Sequence, residues 1–243
     1  MYIVATNNDI VALVRIWSRV EKGVCGSGFA TKEYENGKGK KHCAAALLNI
    51  TGENVSNGCA RGRIVRDYLN ADIEFHEYVK ILEQNKFSGF SLVAVEISKD
   101  DAKVFHYSNA PKIFSVYSGS QSIGFGNSPT YTPLSKVTEG RYTFDKIVSK
   151  DLSNEEMVAA LLELLKSDTS HLPDEELQRR SPMAYSGLSS IFVKIKEAGY
   201  GTRAHSIILV DSDWNFQFIE HALKQPINID KPEWNVTNIQ SRL

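Results

Sequence analysis

The order in which strand-forming and helix-forming stretches follow one another constrains this chain more than any single motif does. Runs of β-branched and aromatic residues at Tyr2 to Ala5, Cys43 to Ile50, Phe90 to Ile97, Lys103 to Tyr107, Lys112 to Tyr117 and Ser122 to Phe125 fill much of the first half, each closed by polar or glycine-bearing turns. Helical spacing of Ile64, Val65 and Leu69, and then of Phe75, Tyr78, Val79 and Leu82, predicts two short helices over Arg63 to Leu69 and Glu74 to Gln84, with Asp72 as an N-cap. The turn Ser98-Lys-Asp-Asp101 predicts a hairpin, and Ser118-Gly-Ser120 a second one, so that the sheet continues to about residue 126. Ser153-Asn-Glu-Glu156 is a capping box, opening a helix whose Met157, Ala160, Leu161, Leu164 and Leu165 form one apolar stripe that ends near Ser167.

After a charged stretch containing Leu172-Pro-Asp-Glu-Glu176, expected as a surface loop, strands return at Ser190 to Ile195, His205 to Val210 and Asn215 to Ile219. Strands, then helix, then strands, without βαβ alternation or internal repeat, predict an α+β fold. Two sheets sandwiched between helix layers would accommodate that order. The expectation is one domain over residues 1–243, with a peripheral tail from about Pro226 that forms a trailing strand or ordered coil.

Charge and cysteine usage remove several function classes. Lys+Arg number 28 against 29 Asp+Glu, which lacks the basic excess of a nucleic-acid binder, so no nucleic-acid partner is expected. Cys25, Cys43 and Cys59 form no CxxC pair and are odd in number, which argues for idle thiols in a reducing compartment. No apolar run reaches membrane-spanning length, and the start Met1-Tyr-Ile-Val lacks a secretory signal's basic and apolar regions. The expected compartment is cytoplasmic. His42, His76, His106, His171, His205 and His221 show no ligand spacing, so no tightly bound metal is expected and each is read as a surface or satisfied core residue.

Gly124-Phe-Gly126 and Gly199-Tyr-Gly201 are too short for a dinucleotide fingerprint and read as turns. The second continues into Thr202 and Arg203, where a tight turn with exposed N–H groups, a hydroxyl and a bidentate cation would suit an anion. The plainer alternative is an arginine paired with Asp211 or Glu220. Arg61-Gly-Arg63 at a helix start offers a second basic pair, with an ordinary solvated charge pair as its alternative.

Asn7-Asn8-Asp9 after a short strand, Arg61-Gly62, Gly89-Phe-Ser-Leu-Val-Ala94, Gly124-Phe-Gly-Asn127 with Thr132-Pro133, and the run Gly199-Tyr-Gly-Thr-Arg-Ala-His-Ser-Ile-Ile-Leu-Val-Asp211 together resemble the transport and Golgi organisation protein 2 family, also called the NRDE proteins. The resemblance covers roughly residues 2 to 222, and its last block is the most specific. It implies an Ntn-hydrolase-like fold, a four-layer αββα sandwich of two antiparallel sheets between helices. It also implies haem trafficking, in the manner of nematode haem chaperones that mobilise haem from storage compartments or mitochondria, with acyl-CoA binding in lipid metabolism as the competing proposal. The Asn-Arg-Asp-Glu motif that names the family reads Asn7-Asn8-Asp9-Ile10 here, without its fork donor and its last acceptor.

An N-terminal nucleophile needs its own α-amine as base. This chain begins Met1-Tyr2, and Cys25 lies well inside it, so a non-catalytic protein is expected and amidase-type hydrolysis is the least favoured reading. By the resemblance the cargo is haem, with acyl-CoA as the alternative. The partner class is an amphipathic small molecule, with transient membrane or protein contact, in the cytoplasm or mitochondrion. The candidate ligand-binding residues are Asn7, Asn8, Asp9, Arg61, Arg63, Asn127, Thr202 and Arg203. His42, beside Cys43 and preceded by Lys38, Lys40 and Lys41, is the speculative haem ligand, against the plainer reading of a solvated loop.

Overall fold

The computed structural model describes residues 1–6, 10–18, 29–36, 39–98, 101–228 and 231–242, of which 2, 5, 10–18, 29–36 and 39–41 are described by backbone alone. In chain order the elements are β1 (Tyr2–Thr6), β2 (Ile10–Ser18), β3 (Phe29–Asn36), β4 (Gly39–Asn49), α1 (Ile64–Asn70), α2 (Phe75–Glu83), β5 (Phe90–Ser98), β6 (Ala102–Asn109), β7 (Lys112–Tyr117) and β8 (Gln121–Phe125). They continue with α3 (Ser135–Val148), α4 (Asn154–Leu165), α5 (Glu175–Arg180), β9 (Lys194–Ile195), β10 (Tyr200–Asp211), β11 (Asn215–Leu223) and β12 (Trp234–Arg242). The fold is mixed α+β with antiparallel sheets, as the element order predicts.

The chain divides into two compact units, Met1–Glu21 with Ser120–Gly126 and Thr130–Leu243, and Lys22–Gly119 with Asn127–Pro129. In the first unit the strand order is β12-β11-β10-β2-β1-β8, with β9 attached to β10. The apolar stripe of α4 (Met157, Leu161, Leu164, Leu165) packs with Val137, Phe144 and Ile147 of α3 and with Ile207, Leu209 and Ile219 of the sheet. Phe144 and Leu161 are fully buried. Each such side chain contributes about 1.5–3 kcal/mol of hydrophobic stabilisation. The capping box forms as predicted, Glu156 N–H donating to Ser153 Oγ at 3.3 Å and Ser153 N–H donating to Glu156 Oε2 at 2.9 Å.

The second unit is the sheet β3-β4-β5-β6-β7 with α1 and α2 against it. Leu47 stands opposite Leu92, and Leu92 opposite Tyr107. Tyr68, Phe75 and Tyr78 of the helices pack over this row, with ring centroids 5.4 Å apart for Tyr68–Phe75.

Several sequence expectations need correction. Lys112 to Tyr117 and Ser122 to Phe125 are both strands but not a hairpin, because β7 pairs with β6 whereas β8 pairs with β1 in the other sheet. The strand expected over Ser190 to Ile195 shrinks to β9, and Asp72 does not cap α2, whose N-cap is Glu74. The stretch expected as a surface loop holds α5, whose N-cap Asp174 is buried and accepts from Leu177 N–H at 2.8 Å and Ser135 N–H at 2.7 Å. Helix α3 has no strong signal in the sequence, since Thr138, Gly140 and Thr143 are weak helix formers; its formation follows from burial of Val137, Phe144, Ile147 and Val148. The tail does form a trailing strand, β12, along β11. No helix among the described residues is long and apolar enough to cross a membrane.

Candidate functional site

The Gly199–Arg203 turn, singled out in the sequence as an anion site, opens onto a cavity in the first unit. β9 runs antiparallel to the start of β10, Ile195 opposite Tyr200 and Lys194 opposite Gly201. A single 3-10 turn over Lys196–Ala198 joins them, and Gly199 completes the reversal at φ 58°, a left-handed conformation that costs glycine nothing. Gly201 is required for a different reason, since a Cβ there would lie 2.7 Å from the Val193 carbonyl oxygen. That close approach lets Thr202 N–H donate to Val193 O at 2.8 Å while Val193 N–H donates to Thr202 Oγ1 at 3.0 Å. The Thr202 hydroxyl, expected to face a ligand, is therefore a clasp for its own strand pair. The pairing of β10 with β2 shifts register between Thr202 and Ala204, and this bulge lets both Thr202 and Arg203 front the cavity.

The cavity measures about 220 Å³. Its apolar walls are Phe192, Val193 and Ile195 from the β9 side, Leu223 from the end of β11, Ile227 and Pro232 from the connection that follows, and Trp234 from the first position of β12. Lys194, Lys196 and Arg203 bring positive charge, Tyr200 and Asn228 add polar groups, and no carboxylate is among its lining residues within the described part of the chain. The connection is closed at its base by Lys224 N–H donating to Glu233 O at 2.9 Å and by the Lys224–Glu233 ion pair at 3.0 Å. Apolar walls with cations at their rim suit an amphipathic anionic ligand.

Behind two of those walls lies His205, 0% exposed, its ring centroid 5.6 Å from Phe192 and 5.1 Å from Trp234, each tilted by 34°. Neither ring nitrogen has a hydrogen-bond partner among the described residues. Burial, with the charges of Lys166 and then His221 adding to it, pushes the imidazole down to about 4, so it is uncharged at neutral pH. His221, opposite it on β11, is lowered as well, first by burial and then by Lys166.

The carboxylates proposed as partners for Arg203 are engaged elsewhere. Asp211 accepts from Asp213 N–H at 3.0 Å and Asn215 N–H at 2.9 Å in its own turn, and Glu220 accepts from Ser206 Oγ at 2.9 Å. Arg61, Arg63, Asn127 and His42 belong to the second unit. There Arg61 donates from Nη1 to the Gly89 carbonyl, which also accepts from Ile50 N–H at 3.0 Å. Asn127 donates from Nδ2 to Asn49 O at 2.7 Å and accepts Thr51 N–H at 2.9 Å on its own carbonyl. These two candidates thus meet around the end of β4 as braces of backbone. Arg63 is exposed, 3.6 Å from Asp67, the ordinary solvated charge pair of the alternative reading. His42 lies on β4, not in a loop, half-buried and opposite Glu33 and Ile97. Asn7, Asn8, Asp9, Cys25 and Lys38 lie outside the described residues; Cys43 is buried and Cys59 exposed. Among the described residues no group of three or more His, Cys, Asp or Glu could hold a metal ion.

Phe192, Trp234 and His205 escaped the sequence reading. Phe192 sits in a run that reads as an ordinary strand, and Trp234 stands in a tail with no periodic signal. His205 is a core residue, as a histidine within a buried strand should be, but it is not a satisfied one.

Comparison with known proteins adds the kinship. The family model described as Transport and Golgi organisation 2 matches residues 36–225. Transport and Golgi organization protein 2 of Drosophila melanogaster is 37% identical over 206 residues, covering 80% of this chain and 72% of the fly protein. The Bos taurus homolog of that name is 28% identical over 207 residues, covering 82% and 74% respectively. The match runs from the end of β3 to just past β11 and takes in the whole Gly199–Asp211 block, so this chain belongs to the Transport and Golgi organisation 2 family.

Proposed function

We propose that this protein is a non-catalytic carrier of haem, built on an Ntn-hydrolase-like scaffold, and that the cavity beside β9 and β10 is its cargo site. One observation carries the reading: the cavity combines aromatic and aliphatic walls with the cationic side chains of Lys194, Lys196 and Arg203. Haem is a planar apolar macrocycle bearing two propionates, so the walls of Phe192 and Trp234 take its edge while the cations meet its carboxylates. A cavity of about 220 Å³ falls below the roughly 300–1,000 Å³ of pockets that engulf a ligand. The macrocycle is then held by one edge, which suits a cargo that must be handed on.

The same volume favours a second reading, acyl-CoA, because a polymethylene chain is slimmer than a macrocycle and the three cations serve phosphates equally well. Titration of the purified protein with hemin, followed by absorbance, tests the first reading. A Soret shift is expected with the wild type, and Arg203→Ala should weaken binding about ten-fold, as loss of one charge-assisted hydrogen bond implies. A wild type that leaves the hemin spectrum unchanged but binds palmitoyl-coenzyme A overturns the haem reading in favour of the second.

A further inference from the structure

We infer that a second cavity of the first unit, at the other end of β10, β11 and β12 from the cargo site, binds a neutral polyhydroxylated ligand, a hexose or a sugar of similar size, through the side-chain amides of Asn154, Gln217 and Gln240. The inference is independent of the carrier reading. Arg203 lines one cavity and Asp211 the other, and they stand roughly 25 Å apart along the extended β10.

Strand pairing builds the floor. β11 pairs with β12 so that Asn215 stands opposite Arg242 and Gln217 opposite Gln240. Directly opposed residues share a face, and Gln217 is also opposite Leu209, whose side chain packs with the apolar stripe of α4. The four polar side chains therefore lie on the helix-bearing face of the sheet, past the point where α4 covers Leu209 and Ile219. Opposed residues are about 5 Å apart and alternate residues of one strand about 7 Å, so these side chains form a flat polar platform. Asn154, the first residue of α4, adds a wall. The cavity measures about 420 Å³, within the roughly 300–1,000 Å³ of sites that enclose a small ligand.

The chemistry of that platform selects hydroxyls. An amide carries both donors and an acceptor, so it meets a hydroxyl, itself donor and acceptor, in either sense, and its paired C=O and N–H groups suit hydroxyls on adjacent carbons. Charge is balanced, because Asp211 and Arg242 line the cavity together. Asp211 is committed to its own turn, accepting from Asn215 Nδ2 at 2.9 Å besides two backbone N–H groups. Most of the amide capacity is unspent. Gln217 Nε2 reaches Asn238 Oδ1 only at 3.4 Å, and among the described residues nothing bonds the side chains of Asn154 or Gln240. Helix capping makes no use of Asn154, since Ser153 and Glu156 cap each other. Strand propensity does not account for Asn215, Asn235 and Asn238 either: asparagine is depleted in strands, and an outer strand such as β12 is ordinarily protected by lysine, which it lacks. Hydrogen bonding to a ligand gives these amides a use.

The side-chain amide NMR signals of Asn154, Gln217 and Gln240 in the isotope-labelled full chain read the site directly. They are followed while glucose, mannose and N-acetylglucosamine are each added at millimolar concentration, with glycylglycine as a ligand that bears amides but no hydroxyls. At least one sugar should displace all of these signals saturably. Gln240→Leu and, on the opposite wall, Asn154→Ala should each weaken binding of that sugar about five- to ten-fold, as one lost hydrogen bond implies. Asn154→Ala should keep the wild-type melting temperature, which separates lost binding from lost fold. Signals that stay in place with every sugar overturn the inference, and so does displacement by glycylglycine alone, which would make the cavity a peptide site. Saturable displacement that neither substitution weakens also overturns it, because the sugar then binds elsewhere.

Discussion

Lys136, in the first turn of α3, ties that helix to the segment that precedes Phe192. It is 8% exposed, and its ammonium donates to Leu188 O at 2.6 Å and Ser190 O at 3.2 Å, fixing the segment that leads to Phe192. Burial drives its pKa from 10.5 down to about 8, with Asp174 opposing. The unfolded chain keeps the ordinary value, so between about 8 and 10.5 it binds a proton that the folded protein has released, and stability rises with pH across that window. At about 1.4 kcal/mol per pH unit, the wild type should gain on the order of 3 kcal/mol from this one residue.

Lys136→Met removes that dependence and leaves two carbonyls unmet, at about 1–3 kcal/mol each. Urea unfolding of both proteins from about pH 7 to about pH 10 isolates the residue, because every other group titrates in both. The deficit of the variant should grow by roughly 3 kcal/mol over that range. Stability curves that stay parallel would refute the reasoning, and would mean that the ammonium is better solvated than its burial implies.

Other substitutions separate fold from site. Gly201→Val forces a side chain against Val193 O and should cost about 1–3 kcal/mol in urea unfolding while abolishing the hemin-induced Soret shift; retained binding would mean that β9 is not needed for the cavity. Ser153→Ala removes the capping box of α4 and should lower stability by about 1 kcal/mol with hemin affinity unchanged. Arg61→Ala loses the brace on Gly89 and should destabilise by about 1–2 kcal/mol, again with unchanged hemin affinity, whereas a large loss of binding would restore Arg61 as a ligand residue.

What the sequence disclosed follows from how local its signals are. The α4 capping box and stripe, and the β5–β6 hairpin, are specified within a few residues and were read directly. Strand partnership is not local. Ser118-Gly-Ser120 has hairpin chemistry, but β7 is already paired with β6 and β8 is claimed by β1, more than a hundred residues away in sequence. Helix α3 owes its existence to a buried face, which its own propensity does not announce. At the site, the Gly199–Arg203 turn was legible because glycine needs are local, although the bond that occupies Thr202 comes from Val193. The cavity itself was not legible, because Phe192, Leu223 and Trp234 converge only through the pairing of β10 with β11 and of β11 with β12.

The most direct test of the carrier account is a crystal structure of the protein grown with hemin. The account predicts a macrocycle edge in the cavity against Phe192 and Trp234 with a propionate at Arg203. Hemin seated elsewhere while this cavity stays unchanged, or crystals that take up no hemin from a saturated solution, would contradict it.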